Sequence, residues 1–155
     1  SVELWSGTGL GASFGGDQLG ANQRQDTFFW TRLLGVDTQF NVAQDLDWAT
    51  QTLGVQLGRW MGSKYIQLSG GKTYWEGLGS RIIWQNEYSG SVWTQSGSGL
   101  TLSYTQDDFY LWNYYYTGFD YPVPKWDGYV TLSAELTEGQ GWNDYTAALQ
   151  VSGRY

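Results

Sequence analysis

The residues able to do chemistry are few and mostly acidic. Asp107-Asp108, the pair Asp45 and Asp47, and the trio Glu76, Glu87 and Glu135 are the groups from which an acid–base pair or a calcium site could be built. Two carboxyls hydrolyse a glycoside only when held about 5–5.5 Å or 6.5–9.5 Å apart. Nothing in the spacing of the three glutamates fixes such a separation, and no glycosidase signature accompanies them. Adjacent aspartates point to opposite faces of a strand and are solvated in a turn, which is the reading adopted for Asp107-Asp108 and for the aspartates beside Leu46. With no His and no Cys in 155 residues, the chain lacks the commonest general base, the commonest transition-metal ligand, thiolate chemistry and disulfides. The expectation is a protein that is not an enzyme and holds no metal and no cofactor.

Aromatic residues are the informative excess, with 10 Trp, 12 Tyr and 6 Phe. Such side chains stack on sugars, pack cores, or anchor a chain at a membrane interface. Trp48, Trp60, Trp126 and Trp142 fall at the expected ends of strands, where interface anchors belong. Trp112, Tyr114 and Tyr116 alternate along one face and form a candidate platform for a sugar or protein contact. The net charge of −7 argues against nucleic acid and against peripheral binding to an anionic surface. It does not oppose a chain that crosses a membrane, since charges can sit in loops or in a lumen.

The elements that must position these residues are strands. Glycine, hydroxyl and aromatic residues dominate and Pro is rare, a β composition. The best helical stretch, Leu33 to Ala49, is broken by Gly35 and by the polar residues around Asp45. Strands are expected at Val2–Phe14, Asp26–Phe40, Leu46–Met61, Tyr65–Ser69, one or two over Thr73–Tyr88, Ser91–Thr105 and Phe109–Gly118. Turns are expected at residues 41–45, 62–64 and 106–108, and a turn or bulge at Gly70-Gly71-Lys72. Residues 120–125 read as a loop because two prolines do not sit in a central strand. In the third of these strands Leu53, Val55 and Leu57 face one way, and Thr50, Thr52 and Gln56 the other. In the second, Arg32 shares a face with Phe28, Trp30 and Phe40, which would set a charge in the middle of an apolar face.

The end of the chain carries the cleanest pattern. Tyr145, Ala147, Leu149, Val151 and Tyr155 alternate with Thr146, Ala148, Gln150, Ser152 and Arg154, a period of two with one apolar face. Val130, Leu132, Ala134 and Leu136 do the same in the preceding strand, with Glu135 on the polar side. A four-residue turn at Glu138–Gly141 pairs Thr137 with Trp142 and sets Glu135 against Asp144, an unfavourable like-charge pair. From Tyr145 to Tyr155 a tilted strand rises roughly 23 Å, close to the ~25 Å apolar band of an outer-membrane barrel. A last strand of alternating apolar residues ending in an aromatic resembles the closing strand of bacterial outer-membrane β-barrels.

That resemblance implies an antiparallel, up-and-down all-β barrel of eight to ten strands, one domain over residues 1–155. It implies an outer-membrane location, the lipid bilayer as partner, and a narrow pore or a purely structural role. Membrane-facing residues would be Tyr145, Ala147, Leu149, Val151, Tyr155, Val130, Leu132, Ala134, Leu136, Leu53, Val55 and Leu57. Lumen-facing residues would be Glu135, Arg154, Gln150, Gln56, Thr50 and Thr52, with a girdle of Trp48, Trp60, Trp126 and Trp142. A designed barrel imitating this class would read the same way. The rivals are a secreted carbohydrate-binding β-sandwich and a β-rich subunit of an extracellular assembly.

Overall fold

Alternating side chains make strands, and short turns make each strand the neighbour of the next. The computed structural model describes residues 2–5, 8–15, 24–45, 49–77, 80–123 and 128–153. Among them the chain forms one antiparallel sheet of eleven strands in sequence order. These are β1 (Val2–Trp5), β2 (Thr8–Gly15), β3 (Arg24–Leu33), β4 (Val36–Asp45), β5 (Thr50–Met61), β6 (Lys64–Gly77), β7 (Ser80–Thr94), β8 (Gly99–Asp107), β9 (Trp112–Val123), β10 (Gly128–Gly139) and β11 (Trp142–Gly153). The up-and-down all-β architecture is the expected one. Closure is not: among the described residues β1 pairs with β2, β11 pairs with β10, and the sheet has two open edges. The single strand expected over Val2–Phe14 folds back on itself as the four-residue β1 and β2, and the other ten strands, β2 to β11, match the upper end of the eight to ten expected.

Turn geometry explains most of the other differences. Leu34 and Gly35 both have positive φ, 52° and 75°, the combination of the two-residue hairpin turn whose twist matches the flanking strands. That turn splits the strand expected over Asp26–Phe40 into β3 and β4. It also removes the anomaly at Arg32, which lies opposite Asp37 and pairs with it at 2.5 Å, off the apolar face. Residues 41–45, expected as a turn, are the second half of β4, with Asn41 opposite Gly54 and Val42 opposite Leu53. Gly70-Gly71-Lys72 is the middle of an unbroken β6, opposite Val55, Gly54 and Leu53. β7 carries a bulge: Thr73 faces Gln85 and Tyr74 faces Ile83, leaving Trp84 as the extra residue.

Three further turns move. Residues 95–98 turn where a continuous strand over Ser91–Thr105 was expected, and Asp107 closes β8 before a turn at residues 108–111. β9 continues through Pro122, which pairs with Tyr129 of β10. β8 begins at Gly99, opposite Asp120, so Pro122 lies past the end of β8 and has a strand on one flank alone, an edge position that tolerates proline. The last hairpin turns on Gln140-Gly141, which places Thr137 opposite Asp144 and Glu135 opposite Thr146. The two-residue shift keeps every side chain on its expected face and removes the Glu135–Asp144 clash.

Candidate lipid-facing surface and polar trough

Register converts the strand patterns into two continuous faces, because residues directly opposite each other share a side of the sheet. One face is apolar. Across β7 to β11 a row of Val92, Leu100, Phe119, Leu132 and Leu149 runs through successive pairs. The next row contains Leu57, Leu68 and Leu102, and the row after it Leu10, Phe40 and Val55. Val42 and Leu53 extend it on β4 and β5, and Val151 on β11. Each of these fourteen side chains is exposed, Leu102 by 54% and Leu149 by 66%. Among the described residues Ala43 is the one buried hydrophobic side chain, and none of them forms a second layer behind this face. The whole chain exposes 10745 Å², against about 7,900 Å² for a compact globular protein of 17.5 kDa.

The apolar face has a built margin. Tyr88, Tyr104, Tyr115 and Tyr145 fall in one row with Leu136. Tyr88 and Tyr104 stack at 6.3 Å, and Tyr104 meets Tyr115 at 5.1 Å. From β6 to β11 the row immediately beyond is polar: Lys72, Asn86, Gln106, Asn113, Glu138 and Asn143. Tyr104 spans the two, its ring among the tyrosines and its hydroxyl donating to Asn113 Oδ1 at 2.9 Å. Rings on the apolar side with hydroxyls turned to a polar rim is the disposition that amphipathic aromatics adopt at a membrane–water interface. Among the side chains described, Lys72 and Glu138 lie in the row beyond the tyrosines and Lys64 at the opposite end of the face, while Arg59, opposite Ile66, shares the row of Val92, Leu132 and Leu149 two residues before the end of β5.

The opposite face is polar. Trp30, Gln39, Gln56, Ser69, Ser89, Ser103, Tyr116, Glu135 and Thr146 form one row across nine strands. Hydroxyls pair across the ladder, Thr52 with Thr73 at 2.8 Å and Ser69 with Ser89 at 2.6 Å. The sheet curls toward this side, since Asn41, Gln56, Ser69, Glu87 and Ser103 of five successive strands line one trough of ≈ 460 Å³. Glycines on this face make room for rings. A Cβ on Gly99 would collide with the Trp93 ring, and one on Gly139 with the Trp142 indole. Covering a strand glycine with a neighbouring aromatic restores contacts that the missing side chain forfeits.

The residues expected on each face can now be located. Tyr145, Ala147, Leu149, Val151, Val130, Leu132, Ala134, Leu136, Leu53, Val55 and Leu57 share the apolar face by register. Glu135, Gln150, Gln56, Thr50 and Thr52 share the polar one. Trp60 and Trp142 are displaced from the girdle expected of them. Both lie on the polar side, Trp60 against Tyr65 at 5.3 Å and Trp142 over Gly139. Trp48, Trp126, Arg154 and Tyr155 lie outside the described residues. Trp112, Tyr114 and Tyr116 do share one face of β9, the polar one. The tyrosine row is the margin that sequence reasoning missed: its members come from four strands, and register alone aligns them.

Asp107 is a second correction. Expected to be solvated, it is 4% exposed. Its Oδ1 accepts the backbone N–H groups of Phe109 and Tyr110 at 3.0 and 2.5 Å, and its Oδ2 accepts Trp84 Nε1–H at 3.1 Å. Asp108 accepts Asn86 Nδ2–H and Gln106 Nε2–H. These are the bonds of an aspartate-stabilised turn. Among the described residues no cluster of three or more metal-ligating side chains occurs. Comparison with protein-family models, curated proteins and solved structures finds no match.

Proposed function

We propose that this chain is a non-enzymatic, membrane-spanning β protein of the outer-membrane barrel type, with its apolar face against lipid and its polar face lining a narrow lumen. The observation that carries the reading is the uncovered apolar face with its tyrosine margin. Fully burying an aliphatic or Phe side chain is worth about 1.5–3 kcal/mol, and the fourteen named above are roughly half exposed. Transferring that surface to hydrocarbon therefore contributes on the order of 10–20 kcal/mol, as much as the whole net stability of an ordinary domain. A sheet without this contribution has too little burial to offset its chain entropy.

In a bilayer the open edges join, since each unpaired backbone group there costs several kcal/mol. β11 and β2 run in opposite directions, so their union gives an even, fully antiparallel ring of ten strands, with β1 displaced. Outer-membrane barrels of this class have even strand numbers, and ten strands leave at most a narrow water path. A carbohydrate-binding sandwich would instead need a second sheet over the apolar face, and the described residues form one sheet.

The test is folding with and without lipid. Urea-unfolded chain diluted into short-chain phospholipid vesicles should gain β circular dichroism and resist protease, whereas in plain buffer it should aggregate. A soluble species of defined mass in plain buffer, monomer or face-to-face dimer, would overturn the membrane reading. Planar-bilayer recording separates pore from structural barrel, discrete conductance steps being the mark of a pore.

A further inference from the structure

One feature lies at the end of the sheet where β6, the β7 bulge and the turn after β8 meet: a pocket of ≈ 180 Å³ walled by Trp75, Trp84, Phe109 and Tyr110. We infer that it is an aromatic cage for a small quaternary-ammonium group such as the trimethylammonium of choline. The inference does not rest on the membrane reading, because these rings are set by the β7 bulge and the turn after β8.

The rings converge rather than stack. Trp84 meets Phe109 at 6.1 Å and 55°, and Tyr110 at 6.4 Å and 59°, while Phe109 and Tyr110 stand at 84°. Rings tilted against one another around the one pocket they line present π density to a cation lodged in it. The geometry is held from behind. The bulge pushes Trp84 out of the ladder, Asp107 fixes its indole N–H, and the same carboxylate pins the backbone of Phe109 and Tyr110. The turn is tied down again by Asp108 N–H to the Trp84 carbonyl at 2.8 Å.

Charge and size select the ligand. Asp107 and Asp108 set two carboxylates beside the rings, which favours a cation and opposes an anion. The pocket is smaller than the ~300–1,000 Å³ of ordinary small-molecule sites, so it takes a compact group rather than a pyranose or an acyl chain. Phe109 and Tyr110 remain 54% and 64% exposed, so the mouth is open to ligand.

The experiment titrates the folded full chain, in a choline-free detergent at constant ionic strength, with tetramethylammonium and choline, reading tryptophan fluorescence. The neutral choline isostere 3,3-dimethylbutan-1-ol is the control. Saturable binding of both cations is expected, with choline about tenfold tighter than the isostere, the ratio that cation–π attraction supplies. Phe109→Leu, which keeps apolar volume and removes one ring face, should weaken choline several-fold at unchanged circular dichroism. Phosphocholine then identifies the source. Binding as tight as choline's indicates a lipid headgroup, and much weaker binding indicates a free cation; either result upholds the cage. No saturable response from the parent chain, equal affinity for the isostere, or saturation by glucose in place of choline overturns it.

Discussion

Replacing Leu102 with Arg separates a sheet that faces lipid from one that faces water. Leu102 lies near the middle of the apolar face, on β8, and is 54% exposed. Its direct cross-strand neighbours are Gly90 and Thr117, which neither shield nor pair a guanidinium. In water such a substitution is an ordinary surface change, worth within about 0.5 kcal/mol. In hydrocarbon an Arg on the outer face of a barrel costs about 2–4 kcal/mol near the midplane, roughly 30- to 900-fold in the folding equilibrium. Ser103→Arg is the matched control one residue along, because its side chain enters the polar trough and can approach Glu87. Both variants are titrated with urea in phospholipid vesicles, and the unfolding midpoint is followed by tryptophan fluorescence. Leu102→Arg should lose at least about 2 kcal/mol while Ser103→Arg stays within about 1 kcal/mol of the parent chain. Equal stability of the two in vesicles would refute the assignment of the faces, whatever the parent chain does in buffer.

Other outcomes follow from the same geometry. Gly139→Ala places a methyl where the Trp142 indole lies and should destabilise by about 1–3 kcal/mol, whereas Gln140→Ala, next to it in the exposed turn, should be close to neutral in the same titration. Among the side chains described, register puts Asp26, Asp37, Asp45, Glu87, Asp107, Asp120, Glu135 and Asp144 on the polar face against Arg32. Any pore should therefore select cations, and Glu87→Gln should reduce the reversal potential measured across a KCl gradient. Ring closure predicts that one cysteine on β11, at Ala148, forms an intramolecular disulfide in vesicles with one position of a cysteine scan along β2. The parent chain has no cysteine to interfere, and a scan that yields only intermolecular bonds would count against closure through these edges.

Much of this was legible in the chain, because side-chain direction in a strand is local. A period of two tells which residues share a face wherever the strand runs without interruption, as for Leu53, Val55 and Leu57, or Leu132 and Ala134. Composition likewise rules out imidazole and thiol chemistry without any fold. The sequence misled where a turn lacked the usual signal. Leu34-Gly35 carries no Asn or Asp, so a period of two read straight through it sets Arg32 on the face of Phe40, whereas the turn puts the two on opposite faces. The opposite error came at residues 41–45, where polar side chains destined for the trough looked like a turn.

What only the tertiary structure decided is everything that depends on register between strands far apart in the chain. Tyr88, Tyr104, Tyr115 and Tyr145 make a margin because the pairing of five strands sets them level. Asp107 is buried because Trp84, 23 residues earlier, is pushed out by a bulge to meet it. The two open edges belong to the same class. Whether a strand finds a partner depends on the accumulated twist and curl of every hairpin between, and no local pattern in the sequence carries that sum.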